Sequence, residues 1–339
     1  MEITFTRPAQ RDLERIHAFI ARDDPGRAYE VLADIRVTIN RLAIYPALGR
    51  PGKKAVADMG IQGLKFTGGP SEADIAAELA LIEDAIVAKP DFLVIAPTSK
   101  TGLNSGIDKA YAAGIKVILI DSAATTNKYQ AFLATDNHHG GVLCADALAA
   151  AIKAKTGSIS GQVAYATFLS NVGSLTQRDN GFLDGLKKYP GLKLVKHVDA
   201  GGDQTTKPVT IAADTLTAFP HLVGYFADNL YTLIGAVTAF KEKKANMKKL
   251  ALVGFDSNAQ LVAAMKAGKL DGMLLQDPYM MGYGGVLYGI LATAGVIVPK
   301  SLDTGAYVAT PANMNTPFIE GLLLPLGTPG RRLGLSYIK

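Results

Sequence analysis

Tryptophan is absent from the 339-residue chain, and cysteine occurs once, at Cys144. A single thiol excludes an intrachain disulfide and a cysteine metal cluster, and it suits either the cytoplasm or a bacterial periplasm. Without tryptophan, an aromatic platform for a ligand has to come from phenylalanine or tyrosine; Tyr45 and Phe168 are the candidates. No run of 18 apolar residues is present, so no transmembrane helix is indicated. A G-x-x-x-x-G-K-[ST] loop is also missing, and the glycines of GYGGVLYG fall in a helical pattern, where they permit close packing rather than cradle phosphate. No serine or cysteine has an evident base partner, so catalysis is not expected. His138 and His139 are adjacent; on a helix they diverge by about 100° and read as a helix start, not a metal pair. Neither metal nor cofactor is expected. A net charge of +5 is small for this length and gives no reason for a nucleic-acid or membrane partner.

Arginine is scarce too, but only in one part of the chain. Residues 1–52 hold eight arginines and no lysine, whereas 53–339 hold three arginines and 24 lysines. Both cations serve a solvated surface, so fold physics does not impose such a partition. Separate ancestry of the two segments explains it, with the seam inside ALGRPGKKAVADMG (residues 47–60).

In the first 52 residues EITFT alternates and reads as a short strand, Ile3–Thr6. Leu13, Ile16, Phe19 and Ile20 recur at helical spacing; after Pro25, so do Ala28, Val31, Leu32, Ile35, Ile39 and Leu42. A strand and an αα-hairpin follow from this. The A-x-x-D-L helix start, the D-D-P-x-x-A turn and the closing P-x-L-G-R-P-G resemble the N-terminal half of the RelE/ParE toxin superfamily. In that family a β-sheet follows and carries the activity. Here none does, which leaves the half that meets an antitoxin.

From Lys53 the rhythm changes. IQGLKFTG, DFLVIAP and IKVILID read as strands, and SEADIAAELALIEDAIVAK and LNSGIDKAYAAG as helices, with Ser71 as the first helix's N-cap. The alternation continues through GQVAYATF, LKLVKHVDA, LVGYFAD, KLALVGFD and LDGMLLQDP, with helices between them and a long helix from about Tyr279. Met280 and Met281 read as packing residues within it. Near-continuous apolar strands separated by helices predict parallel sheets covered on both faces, in two doubly wound, Rossmann-like lobes. In such sheets ligands sit outside the carboxyl ends of the strands. Those ends carry Asp121, Asn229 beside Asp228, Asp256, and Gln276 beside Asp277, while Arg178 stands near a helix start. Singly, each reads as a turn or helix cap. Together they form a polar cleft able to hold vicinal hydroxyls.

The stretches DFLVIAPTS, KVILIDSAATT, ATDNHHGGVLCADAL, TQRDNGFLDGL, TAFPHLVGYFADN, LALVGFDSN and MKAGKLDGMLLQDPYMMGYGGV resemble the periplasmic sugar-binding proteins of the ribose-binding type, the solute receptors of ABC importers. The resemblance implies a receptor for a sugar or polyol that hands its ligand to the transporter's membrane subunits, a monomer without nucleic-acid partner. Ligand contacts fall on Asp121, Arg178, Asn229, Asp256 and Gln276. The lobes would be 53–136 with 277–303 and 137–276 with 304–325, joined by a three-stranded hinge near Asp136–Asn137, Gln276–Asp277 and Leu302–Gly305, and 326–339 is an unassigned tail. The resemblance also implies a first N-lobe strand, followed by an aromatic pair, where toxin-like sequence stands. Counting back from Gly60, the strand falls near Asp34–Ile39 and the pair near Ile44 and Tyr45. Residues 27–45 are therefore torn between a helix and a strand, and an unfilled slot would cost about 1–3 kcal/mol per buried unpaired group. The resemblance implies a periplasmic protein; the N-terminus lacks the basic-then-apolar layout of a secretion signal, which leaves the cytoplasm as the alternative for the chain as written. Alternative readings are a toxin–antitoxin module in residues 1–52, a non-functional fusion with a crippled N-lobe, or a transcriptional regulator. The last is disfavoured because no helix-turn-helix precedes the body.

Overall fold

The computed structural model describes residues 73–323, with Lys65, Thr67, Gly68 and Ser71 ahead of them. They belong to one of two compact units of the chain, Gly63–Pro325 with Gly334–Lys339. The N-terminal strand and hairpin, the Asp34–Ile39 segment, Tyr45 and the tail from 326 lie outside the described residues, as does most of Ile61–Gly68.

The first sheet has the order β1-β2-β3-β9, built from β1 (Phe92–Ile95), β2 (Lys116–Ile120), β3 (Ala131–Ala134) and β9 (Ser301–Asp303), every pair parallel. Val117, Ile118 and Leu119 of β2 are buried on both faces, as their continuous apolar run requires. Helices α1 (Ile75–Ala88) and α2 (Asn104–Ala112) cover one face. Asp74, not Ser71, caps α1: its Oδ1 accepts from the Ala77 amide at 2.9 Å, while the Ser71 hydroxyl accepts from Ala73 one turn early. The carboxylate wins because it sits where the first free amides point.

The second sheet has six strands in the order β10-β8-β7-β6-β4-β5. These are β4 (Gly161–Thr167), β5 (Leu192–Asp199), β6 (Leu222–Ala227), β7 (Ala251–Phe255), β8 (Gly272–Leu275) and β10 (Tyr307–Ala309), the last antiparallel to β8. Helices α3 (Asn137–Thr156) and α4 (Gly173–Leu186) pack on one face, and α5 (Thr206–Ala218), α6 (Leu230–Glu242) and α7 (Ala259–Lys266) on the other. The strands β9 and β10, three residues each, are too short to declare themselves by periodicity.

Three connections pass between the sheets: β3 to α3, β8 to α8 (Pro278–Thr293), and β9 to β10. The first and third are tied together. Thr304 N donates to Ala134 O at 2.9 Å, Asp136 N to Asp303 Oδ1 at 3.1 Å, and Thr135 Oγ1 to Gly305 O at 3.1 Å. Helix α8 returns to cover the other face of the first sheet. A Cβ on Gly289 would lie 2.3 Å from the Phe92 ring and one on Gly285 3.0 Å from Ile120 and Val94, so the glycines permit close packing. Met281 packs there as expected, but Met280 is 41% exposed, because consecutive helical residues point about 100° apart. A short helix, α9 (Pro317–Leu323), closes the second lobe.

Candidate functional site

The carboxyl ends of both sheets face one cavity of about 310 Å³. Asp121 follows β2 and Asp256 follows β7, each in the left-handed region, at φ 63° and 69°. That conformation is uncommon outside glycine, and it turns each side chain away from the strand direction and into the cavity. The backbone amides anchor the bends: Asp121 N donates to Leu133 O at 3.0 Å and Asp256 N to Leu274 O at 2.8 Å.

Arg178 lies in the second turn of α4 and is only 3% exposed. Its Nε donates to Asn137 Oδ1 at 2.8 Å and its Nη1 to the Asp228 carbonyl at 3.0 Å. The guanidinium sits 4.2 Å from the centre of the Phe255 ring, and Nη1 is 3.8 Å from Asp256 Oδ2. Stacking, two hydrogen bonds and a nearby carboxylate hold one plane and leave Nη2 as the donor edge for a ligand. Asn137 is fixed in turn by donating Nδ2 to Thr135 O at 3.0 Å.

Asn229 is a helix cap and a cavity residue at once. Its Oδ1 accepts from the amides of Tyr231 (2.7 Å) and Thr232 (3.3 Å) in a capping box at the start of α6. That use of the oxygen leaves its amide nitrogen for a ligand. Gln276 follows β8 and donates Nε2 to Asp256 Oδ1 at 2.7 Å; its Oε1 is buried without a partner. Burial pushes the Asp121 carboxyl above its usual value; the Arg178 charge opposes this and the Asp256 charge adds to it. The cavity thus presents carboxylate and amide acceptors beside guanidinium and amide donors, a set that matches hydroxyl groups on a small ring.

Asp121, Arg178, Asn229, Asp256 and Gln276 all line this cavity. Tyr45 lies outside the described residues. Phe168 lines it, with its ring 5.1 Å from that of Tyr231. Sequence reasoning missed Tyr231, Thr98, Ser122 and Ser174, although the search at strand ends extends naturally to Ser122. Its hydroxyl lies 2.7 Å from that of Ser174 and 3.2 Å from Asp121 Oδ2, so the pair joins the first lobe to the second. A backbone bond does the same: Lys100 N donates to Asn171 O at 2.9 Å. Among the described residues no three His, Cys, Asp or Glu side chains gather as a metal site, and no helix is long and apolar enough to cross a membrane.

Residues 47–292 match the family model of the periplasmic binding protein domain. Residues 3–66 match the model of the ParE toxin of type II toxin-antitoxin systems. The two matches overlap across the arginine-to-lysine break. A carbohydrate transporter solute-binding protein from Agrobacterium radiobacter, solved with D-arabinose, is 40% identical at a TM-score of 0.77, covering 80% of this chain and 91% of its own. A solute-binding protein from Agrobacterium vitis with bound D-fucose is 31% identical at a TM-score of 0.73, covering 79% and 92%. The ribose import binding protein of Bacillus subtilis is 26% identical over 249 residues, 72% of this chain and 78% of that protein.

Proposed function

The chain belongs to the periplasmic binding protein family, and on that premise we propose that it captures a sugar or sugar-like polyol between its lobes for an ABC importer. The carrying observation is the convergence of Asp121, Arg178, Asn229, Asp256 and Gln276, from both sheets, on one cavity. Asp121 accepts ligand hydroxyls from the first lobe. Arg178, Asn229, Asp256 and Gln276 fix the ligand from the second lobe and the hinge, and Phe168 with Tyr231 offers an aromatic wall. A ligand touching both lobes binds the closed form better than the open one, and that difference drives closure. The closed monomer is what the transporter's membrane subunits read. The lobes divide as 53–136 with 277–303 and 137–276 with 304–325. The family is a receptor family rather than an enzyme family, and it is periplasmic, so the working place of this chain is the periplasm.

Calorimetric titration with D-arabinose, D-fucose, D-tagatose and D-ribose tests this. Binding of at least one, lost in Asp256→Ala, is expected. No heat with any of them, in the intact chain or in one whose residues 1–52 are replaced by a family-type first strand, overturns the sugar reading. Binding in the replaced chain alone identifies the natural join as a crippling fusion. The ParE match over residues 3–66 favours a second reading, antitoxin recognition by the N-terminal segment. It predicts that residues 1–52 suffice to capture a cognate antitoxin, and a segment that captures none removes it.

A further inference from the structure

Beside the cavity the two lobes touch each other directly. On the first lobe, the loop after β1 and the turn after β2 form one face, because Thr125 N donates to Lys100 O at 2.8 Å. On the second lobe, the loop between β4 and α4 and the turn after β5 form another, because Gly202 N donates to Phe168 O at 2.8 Å. The faces meet backbone to backbone. Lys100 N donates to Asn171 O at 2.9 Å. Asn171 stands in the left-handed region at φ 67°, a conformation asparagine adopts more readily than most residues. Close by, the hydroxyls of Ser122 and Ser174 lie 2.7 Å apart, 2% and 4% exposed.

Gly173, the first residue of α4, answers to the opposite lobe. A Cβ there would lie 2.6 Å from Ala123 O, 3.0 Å from its N and 3.3 Å from its carbonyl carbon. All three atoms are first-lobe backbone, which cannot swing aside as the end of a side chain can. Gly173 is not among the residues of positive φ, so its own helix accepts alanine there without strain. What excludes a side chain is the approach of the first lobe. A second approach lies at Gly202, where a Cβ would stand 2.8 Å from the Cβ of Ala73, the residue before the N-cap of α1.

We propose that this seam is a clasp: the docking of Lys100, Ala123 and Ala73 on Asn171, Gly173 and Gly202 holds the lobes together by a fixed amount whatever sugar is bound. Gly173 then sets affinity without touching the ligand. The apparent dissociation constant is the intrinsic one divided by the fraction of molecules in the binding-competent form. A residue of the clasp changes that fraction alone and scales every ligand's affinity by one factor. A cavity residue such as Asp256 meets particular hydroxyls and changes the ranking of ligands. Neither Gly173 nor Ala73 lines the cavity, whereas Ser122 and Ser174 do, so the two serines cannot separate the roles.

The test uses the full chain and two wedges placed in the seam from opposite lobes, Gly173→Ala and Ala73→Val. Spin labels go on exposed positions of each lobe, through Asp84→Cys on α1 and Lys193→Cys on β5; the native Cys144 is fully buried and stays unlabelled. Without sugar, the wild type is expected to show a short inter-lobe distance that each wedge shifts toward longer values. A distance distribution that neither wedge changes overturns the clasp. The affinity arm rests on the sugar reading. Gly173→Ala should weaken binding of every monosaccharide that binds by the same factor, about ten- to a hundredfold, mainly through a faster off-rate. The melting temperature of the sugar-free protein should stay where it is, because parting the lobes relieves the crowding. A changed ranking of sugars, or a sugar-free melting temperature lowered by Gly173→Ala, would show that the glycine serves the cavity or its own lobe and overturns the assignment. The distance measurement needs no sugar, so it judges the clasp even if the sugar reading fails.

Discussion

At the scale of the residue, the site is a set of side chains whose freedom has been removed before a ligand arrives. Arg178 shows this most directly, held by Asn137, the Asp228 carbonyl and the Phe255 ring. Lysine keeps the charge but loses the plane and the fork. Arg178→Lys should therefore weaken sugar binding by roughly ten- to a hundredfold, the worth of one charge-assisted hydrogen bond, as read by calorimetry. Asp121 illustrates the cost of aiming a carboxylate. Its left-handed backbone is one that glycine adopts freely, so Asp121→Gly should abolish binding without lowering the melting temperature of the ligand-free protein. A lowered melting temperature would show that the carboxylate stabilises the fold rather than serving the ligand. The same residue sets a pH dependence. A carboxylate accepts hydroxyl protons only when ionised, and burial has raised its pKa. Affinity should thus be lost as pH falls, beginning above the 3.8 of an ordinary aspartate, and Asp121→Asn should remove that acid limb.

At the scale of the element, helices α3 and α4 meet backbone to backbone, and this contact carries Arg178 and Asn137. A Cβ on Gly181 would stand 1.9 Å from His138 O, and one on Gly141 2.1 Å from Arg178 O. Gly181→Ala should cost about 1–3 kcal/mol or more by overpacking and weaken sugar binding as well, because the helices must part beside the guanidinium. Gly282, inside α8, meets nothing within 4 Å. Gly282→Ala should stabilise by about 0.5–1 kcal/mol through helix propensity alone. Thermal melts of the two variants, of opposite sign, check the packing. Such elements also show what was legible beforehand. Long apolar strands such as KVILI and capped helices such as α6 announce themselves, because burial on both faces and helix capping leave marks within a few residues. Asp121, Asn229, Asp256 and Gln276 were legible for the same reason, since a strand's carboxyl end is a position that sequence order can locate. The contact Ser122–Ser174 was not. It joins residues 52 apart that share no local pattern, and only the packed fold brings them together.

At the scale of the whole molecule, the described lobes differ in how much holds them. The second lobe has six strands between two broad core clusters, whereas the first has four short strands between two small ones. Among the described residues, β1 stands at the edge of its sheet, with only Ile95 of its four residues buried. Stability is therefore unequal, and amide exchange should report it as two opening units rather than one. The first lobe is expected to exchange at lower opening free energy than the β4–β6–β7 core. Sugar should narrow the gap. A ligand that needs both lobes is released when either opens, so it stabilises against first-lobe opening by about 2.7 kcal/mol at a hundred times its dissociation constant. Mass-spectrometric hydrogen exchange with and without the bound monosaccharide reads this directly, with β2 and β3 peptides as reporters. Equal protection of both lobes without ligand would mean that the first lobe is as tightly held as the second. Protection of β2 that ignores the sugar would mean that the ligand is held by the second lobe alone, and closure would then lose its driving force.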